Sequence, residues 1–185
     1  DLVSGVDDGA EGDMLNAAHS AANTIVIPEL RRNISPLADV VALWKLYRFF
    51  RKEKPDIVHS HTPKAGLIAM LAAKFAGVKI RIHTIAGLRF MTATGFTRKL
   101  LIGMEKVTAS AATHVWPNSM SLLKYVQENK LVNASKLQVI GKGSSNGIDL
   151  TRFSKNTLTA EGIQKAKQVI SYDPSLNYIL SVGRI

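Results

Sequence analysis

Pro55-Asp56-Ile57-Val58-His59-Ser60-His61-Thr62-Pro63-Lys64-Ala65-Gly66 decides the fold. Ile57 to His61 is a short apolar strand that turns polar at its end. The chain then passes at once into a helix, with Thr62 in the N-cap position and Pro63 in the first turn. Open α/β sheets place ligands at such junctions, outside the carboxyl ends of their strands. The helix N-terminus offers free N–H groups and a partial positive charge there, and Lys64 adds a full one, so the expected ligand is anionic.

Working outward, that helix is expected to run to about Ala76 and stop at Gly77, and Lys79 to Thr84 forms the next strand. Strand, helix and strand with short links make a βαβ unit, hence a parallel sheet with right-handed crossover. On the N-terminal side, Leu2-Val3-Ser4 reads as the tail of a strand, about 13–22 as a helix, and Thr24 to Pro28 as a short strand. The connector from Leu30 to Ser35 carries Arg31 and Arg32, as a solvated loop or a phosphate-facing one.

Ser35 and Pro36 open a long helix in which Leu37, Val40, Val41, Trp44 and Tyr47 recur at helical spacing and are expected to face the sheet. Leu43, Leu46 and Phe50 lie further round, among Lys45, Arg48, Arg51, Lys52 and Lys54. This apolar face beside a basic cluster reads either as a core helix with a solvated flank or as a surface that also rests on an anionic bilayer. Further along, helices are expected over about 97–112 and from Asn118 or Ser119 to about Leu131, with strands at His114 to Pro117 and Leu137 to Ile140. The exit Gly141 to Asp149 is rich in glycine and serine. A polar stretch with a helical patch from Glu161 to Ile170 follows, and then a strand from Asn177 onward.

The fold class is therefore α/β, a Rossmann-like parallel sheet flanked by helices. The expected organisation is a domain over 1–150, a linker and helix over 151–176, and the first strand of a second domain over 177–185. A strand tail at one end and a bare strand at the other suggest a chain cut from something longer.

Composition narrows the partners. In 185 residues, 46% are hydrophobic and 21% charged, an ordinary globular balance, and no cysteine is present to build a disulfide framework. Lys and Arg number 24 against 14 Asp and Glu, a net charge of +10 that favours nucleic acid, an anionic membrane face or phosphorylated substrates. Aromatic residues are only 6% and form no stacking motif, which argues against nucleic acid. No apolar run approaches the roughly 20 residues of a membrane span, and the start has no signal-peptide pattern. A cytoplasmic protein at the membrane surface is the expected setting.

His59 and His61, two apart on a strand, point to one face. They could be metal ligands, but no third ligand follows at a convincing spacing, so packed histidines at a strand end, one of them touching substrate, are expected instead. His83 ends the neighbouring strand, so three histidines and Lys64 are expected to converge at one edge of the sheet. Such a site polarises a phosphate or hydroxyl without a nucleophile. Gly141 to Gly147 matches neither GxxxxGK[ST] nor GxGxxG, and reads as an interdomain connection. The missing fingerprint also argues against an epimerase or dehydrogenase of the dinucleotide-binding type.

These stretches, together with Gly77-Val78, Ile82-His83-Thr84, Ser145-Asn146-Gly147-Ile148-Asp149 and Val182-Gly183-Arg184-Ile185, resemble the N-terminal half of family 4 glycosyltransferases of bacterial capsule and exopolysaccharide assembly. The resemblance implies a GT-B fold, two Rossmann-like domains across a cleft, truncated here at both ends. It implies glycosyl transfer with retention from a nucleotide-sugar to a saccharide on a polyprenyl diphosphate at the inner membrane face, with no metal or other cofactor. On that basis His59, His61, Lys64, Gly66, Gly87, Asn146 and Gly147 are the substrate-binding candidates, and Gly183 and Arg184 meet the donor diphosphate. His83 is the one candidate for a catalytic role. Many relatives read His-Thr-Val-His-Gly where this chain has His83-Thr84-Ile85-Ala86-Gly87, so Ala86 leaves the second histidine's role unfilled. The resemblance also places the first glycine-rich loop before Asp1 and the paired glutamates after Ile185, so these 185 residues alone are expected to be inactive.

Overall fold

A computed structural model describes residues 1–6, 21–31, 33–144 and 149–179 of the chain. The expected helix over 13–22 lies almost wholly outside them, as does most of the strand expected from Asn177; residues 177–179 carry no strand. The chain forms two compact units, 1–145 and 146–185.

In the first unit β1 (Leu2–Ser4) pairs in parallel with β2 (Thr24–Val26), and β3 (Ile57–Ser60), β4 (Ile80–Ile85) and β5 (His114–Pro117) form a second parallel sheet in that order. A groove of about 540 Å³ lies between β1 and β3, floored by Phe49 and Phe50. Helices α1 (Pro36–Glu53), α2 (Pro63–Ala76) and α3 (Gly95–Ala111) pack in sequence, α2 in the middle, and α4 (Met120–Glu128) follows β5. The right-handed crossover of each βαβ step lays successive helices on one face.

Local chemistry sets the helix ends. The N–H of Ser35 donates to the Asp39 carboxylate at 3.2 Å, and Pro36 occupies the first turn of α1. At the end of α2, Gly77 takes φ 83°, the Gly77 N–H donates to the Lys74 carbonyl and the Val78 N–H to Ala73. That pair of bonds is a Schellman closure, which glycine adopts without a steric penalty. The last carbonyls of α3 are capped from outside: Lys136 Nζ donates to Ala109 and Ala112 at 3.0 and 2.8 Å, and Arg81 Nε donates to Ala111 at 2.6 Å.

Two sequence expectations are corrected. The buried residues of α1 are Ala42, Leu46 and Phe50, which pack beside α2, while Leu37, Val40, Val41 and Trp44 face outward, Leu37 being 85% exposed. Both stripes have helical spacing, and the contact with α2 selects the one that runs from small Ala42 through Leu46 to Phe50. The strand expected at Leu137 to Ile140 reduces to a single parallel bridge between Leu137 and Val115, after which the chain turns through Gly141.

The second unit contains a 3₁₀ turn, Lys155–Thr157, and α5 (Ala160–Val169), whose N-cap Thr159 accepts from the Gly162 N–H at 3.1 Å.

Candidate functional site

Strand register governs what the carboxyl edge can assemble. Ser60 lies opposite His83, and Thr84 opposite Trp116. Because side chains alternate faces, Ser60 and His83 share the face covered by α2, while His59 shares the other with Thr84 and Trp116. The expected convergence of three histidines is thus divided. His59 Nε2 sits 2.8 Å from Thr84 Oγ1, and its ring meets Trp116 edge-on at 5.3 Å. Ser60 Oγ sits 2.8 Å from His83 Nδ1 on the opposite side. His61, one residue past the strand, is exposed; its ring lies 4.1 Å from that of His59, and it also lines the cavity that His83 lines.

That cavity, about 310 Å³, opens where β4 ends and is walled by His61, His83, Ala86, Gly87, Arg89 and Glu105. His83 is 2% exposed, and burial above all, then the nearby His61 and His59, brings its pKa down to about 4. It is neutral at physiological pH, with Nδ1 committed to Ser60 and Nε2 without a hydrogen bond among the described residues. Gly66 makes this placement possible: a Cβ there would lie 2.6 Å from His83 Cε1. Gly66 is therefore a packing requirement of α2 against His83, whereas Gly87 has open space where a Cβ would go. Burial also lowers the pKa of His59.

Lys64 departs from expectation. Its side chain is 11% exposed and ion-pairs with Asp39 at 2.5 Å, and it also donates to the Asn33 carbonyl. The ammonium ties α2 to the start of α1 and is not the exposed cation expected from its place at a helix N-terminus. Asp39 precedes it by 25 positions, a pairing that no local pattern announces.

The edge continues through Asn118, whose Nδ2 donates to the Ala86 carbonyl at 3.1 Å and whose own carbonyl accepts from the Ser144 N–H at 2.5 Å. Gly143, at φ 88°, passes so close that a Cβ would lie 2.7 Å from that carbonyl, so the first part of the glycine-rich loop is anchored to this edge. Asn146, Gly147, Gly183 and Arg184 lie outside the described residues.

Sequence reasoning missed Glu105, Arg89, Thr84, Trp116 and Asn118 as parts of this edge. Glu105 had a legible signal: Leu101, Glu105, Thr108 and Ala112 fall on one helical face, so a carboxyl sits in an apolar stripe. It is 7% exposed, and burial raises its pKa to about 7.

Comparison with known proteins agrees with this geometry. The sequence model of the family described as glycosyl transferase 4-like domain matches residues 2–143. Two curated relatives are similar. The capsular polysaccharide biosynthesis glycosyltransferase CapM of Staphylococcus aureus is 39% identical over 160 residues, 86% of this chain and 40% of that protein. The UDP-Gal:alpha-D-GlcNAc-diphosphoundecaprenol alpha-1,3-galactosyltransferase of Escherichia coli is 31% identical over 146 residues, 77% of this chain and 36% of that protein. The chain thus spans about two fifths of the length of these relatives. Among solved structures, Anabaena Alr3699/HepE in complex with UDP-glucose superposes with a TM-score of 0.61 at 16% identity, covering 91% of this chain and 42% of that one. A UDP-N-acetylglucosamine 2-epimerase gives 0.51 at 20% identity, covering 74% and 40%. These likenesses confirm the Rossmann-like architecture of parallel sheet and flanking helices.

Proposed function

Because the chain belongs to the glycosyl transferase 4-like family, we propose that it forms the acceptor-side part of a retaining glycosyltransferase. The enzyme moves a sugar from a nucleotide-sugar to a saccharide on a polyprenyl diphosphate, in bacterial surface-polysaccharide synthesis. The cavity at the carboxyl end of β4, with a neutral buried imidazole beside a carboxyl, carries this reading. It offers hydrogen-bonding groups to the hydroxyls of a saccharide. The UDP-glucose named for HepE supports a nucleotide-sugar donor, and the diphosphoundecaprenol named for the Escherichia coli relative supports a lipid-linked acceptor.

In this reading His61, His83 and Gly87 border the acceptor, His59 braces the strand end through Thr84, and Lys64 holds the α1–α2 junction. Asn146 and Gly147, with Gly183 and Arg184 at the donor diphosphate, take the roles the family resemblance implies. The transfer needs no metal. The full-length protein, given a panel of UDP-sugars and N-acetylglucosamine diphosphate on a short lipid, should yield a disaccharide diphosphate by mass spectrometry. Absence of transfer across donors and acceptors would contradict the reading.

The setting proposed is peripheral, at the inner membrane face. Among the described residues no helix is long and apolar enough to cross a bilayer. Helix α1 presents Leu37, Val40, Val41 and Trp44 outward, with the Arg48 guanidinium 4.8 Å over the Trp44 ring and exposed Arg51 and Lys52 on the next turn. An apolar stripe with a basic margin suits an anionic headgroup layer, at about 1 kcal/mol per basic residue. Changing Arg48, Arg51 and Lys52 to Glu should weaken co-sedimentation with anionic vesicles by about 100-fold or more at low salt. Unchanged sedimentation would rule this surface out.

A further inference from the structure

Among the described residues of the first unit, the buried polar side chains are Ser60, His83, Thr84, Glu105 and Thr108. Four have a hydrogen-bonding partner: Ser60 and His83 Nδ1 bond to each other, leaving His83 Nε2 open, Thr84 bonds to His59, and Thr108 to the Met104 carbonyl. Glu105 is the exception. Placed in the third turn of α3 and 7% exposed, it makes no hydrogen bond or ion pair with a described residue. A carboxyl so far desolvated and without a protein partner costs stability and contributes nothing to packing that Leu would not supply better; its oxygens are not fully enclosed, as Trp116 Nε1 is, but keep access to the cavity that Glu105 lines. Groups that cost stability in this way concentrate at binding sites, where a ligand completes them.

Glu105 lines the cavity that His61, His83 and Arg89 also line. We propose that Glu105 is a specificity-determining residue of that cavity, its carboxyl accepting hydrogen bonds from hydroxyl groups of a saccharide ring. An ionised carboxylate only accepts, so it selects donors and repels phosphate. Nε2 of His83, oriented through Nδ1 by Ser60, and the Arg89 guanidinium supply the complementary polar contacts, while Ala86 and Leu88 offer apolar surface to the ring. A diphosphate on the same ligand must therefore lie away from Glu105, toward solvent. Treating the saccharide as the acceptor rests on the function proposed above; the hydroxyl-binding role does not.

The test uses the full-length protein with E105Q and E105L variants. The acceptor probe is N-acetylglucosamine diphosphate on a short alkyl chain, and the readouts are KM for acceptor and donor, kcat and Tm. E105L should raise the acceptor KM by about 10- to 100-fold while leaving the donor KM unchanged. Its Tm should be equal to or above wild type, because a buried unpaired carboxyl has been removed. E105Q, which retains an accepting oxygen, should fall between. An unchanged acceptor KM, or equal changes in both KM values, would overturn the proposal, as would a lower Tm with acceptor KM unaltered. Should the wild type transfer no sugar, the enzyme reading fails separately. Saturation-transfer NMR with the methyl glycoside of N-acetylglucosamine then decides: binding by wild type that E105L loses supports the hydroxyl site, and no binding, or equal binding, refutes it.

Discussion

Replacing Glu105 by Gln is expected to make the chain about 3 kcal/mol more stable than wild type at pH 7.5, the difference vanishing below pH 4.5. Burial raises the folded-state pKa of Glu105 from 4.5 to about 7. The folded state therefore holds a proton that the unfolded state has released throughout that window. A raised pKa contributes stability that is present below the unfolded value and is lost as pH rises through the folded one. His83 acts in the opposite sense. Its pKa falls from 6.5 to about 4, so the unfolded chain binds the extra proton and stability is lost as pH falls through that range. The two slopes oppose each other between about pH 4.5 and 6.5. In wild type they largely cancel; in E105Q the His83 slope stands alone, about 1.4 kcal/mol per pH unit. Urea denaturation of both chains across pH 4.5–7.5 measures this. Parallel curves would show that Glu105 does not titrate with a raised pKa.

Gly66→Ala should destabilise the chain by about 2–4 kcal/mol, although alanine is the better helix former by about 1 kcal/mol. The added methyl would lie 2.6 Å from His83 Cε1 and 2.9 Å from Nδ1, inside any allowed contact. Either the imidazole leaves Ser60, stranding buried polar atoms, or α2 lifts from the sheet. Steric exclusion outweighs propensity because the obstacle is a buried ring held by its own hydrogen bond. A double-mutant cycle with His83→Ala separates these terms: removing the ring should return most of the loss. Independent, additive costs would mean that Gly66 is required for some other reason.

Much of this fold was legible in the chain because its punctuation is strong. Pro36 and Pro63 open helices, Gly77 closes one, and β-branched residues mark Ile57–His61 and Lys79–Thr84 as strands, observed at Ile57–Ser60 and Ile80–Ile85. What the residues could not show is which of two equally periodic faces would be chosen. Helix α1 has apolar side chains over most of its circumference, and only packing beside α2 turns Leu46 and Phe50 inward and leaves Trp44 outside. The edge histidines illustrate the same limit in a sheet. The spacing of His59 and His61 says nothing of His83 until the register sets Ser60 opposite it, and that one-residue offset sends His59 to the other face. Lys64 looked free because its partner Asp39 is distant in sequence. Glu105 was on the page as a carboxyl in an apolar stripe, but its meaning depends on the cavity that the Ile85–Arg89 loop builds beside it.

Hydrogen–deuterium exchange of the full-length protein with N-acetylglucosamine diphosphate on a short lipid tests the acceptor assignment most directly. The probe is predicted to protect peptides covering His59–Gly66, His83–Arg89 and Leu101–Thr108, and a UDP-sugar alone should leave the last of these unchanged. Protection by the acceptor confined to peptides beyond residue 146, with the β3–α2 and β4–α3 segments unaffected, would contradict it.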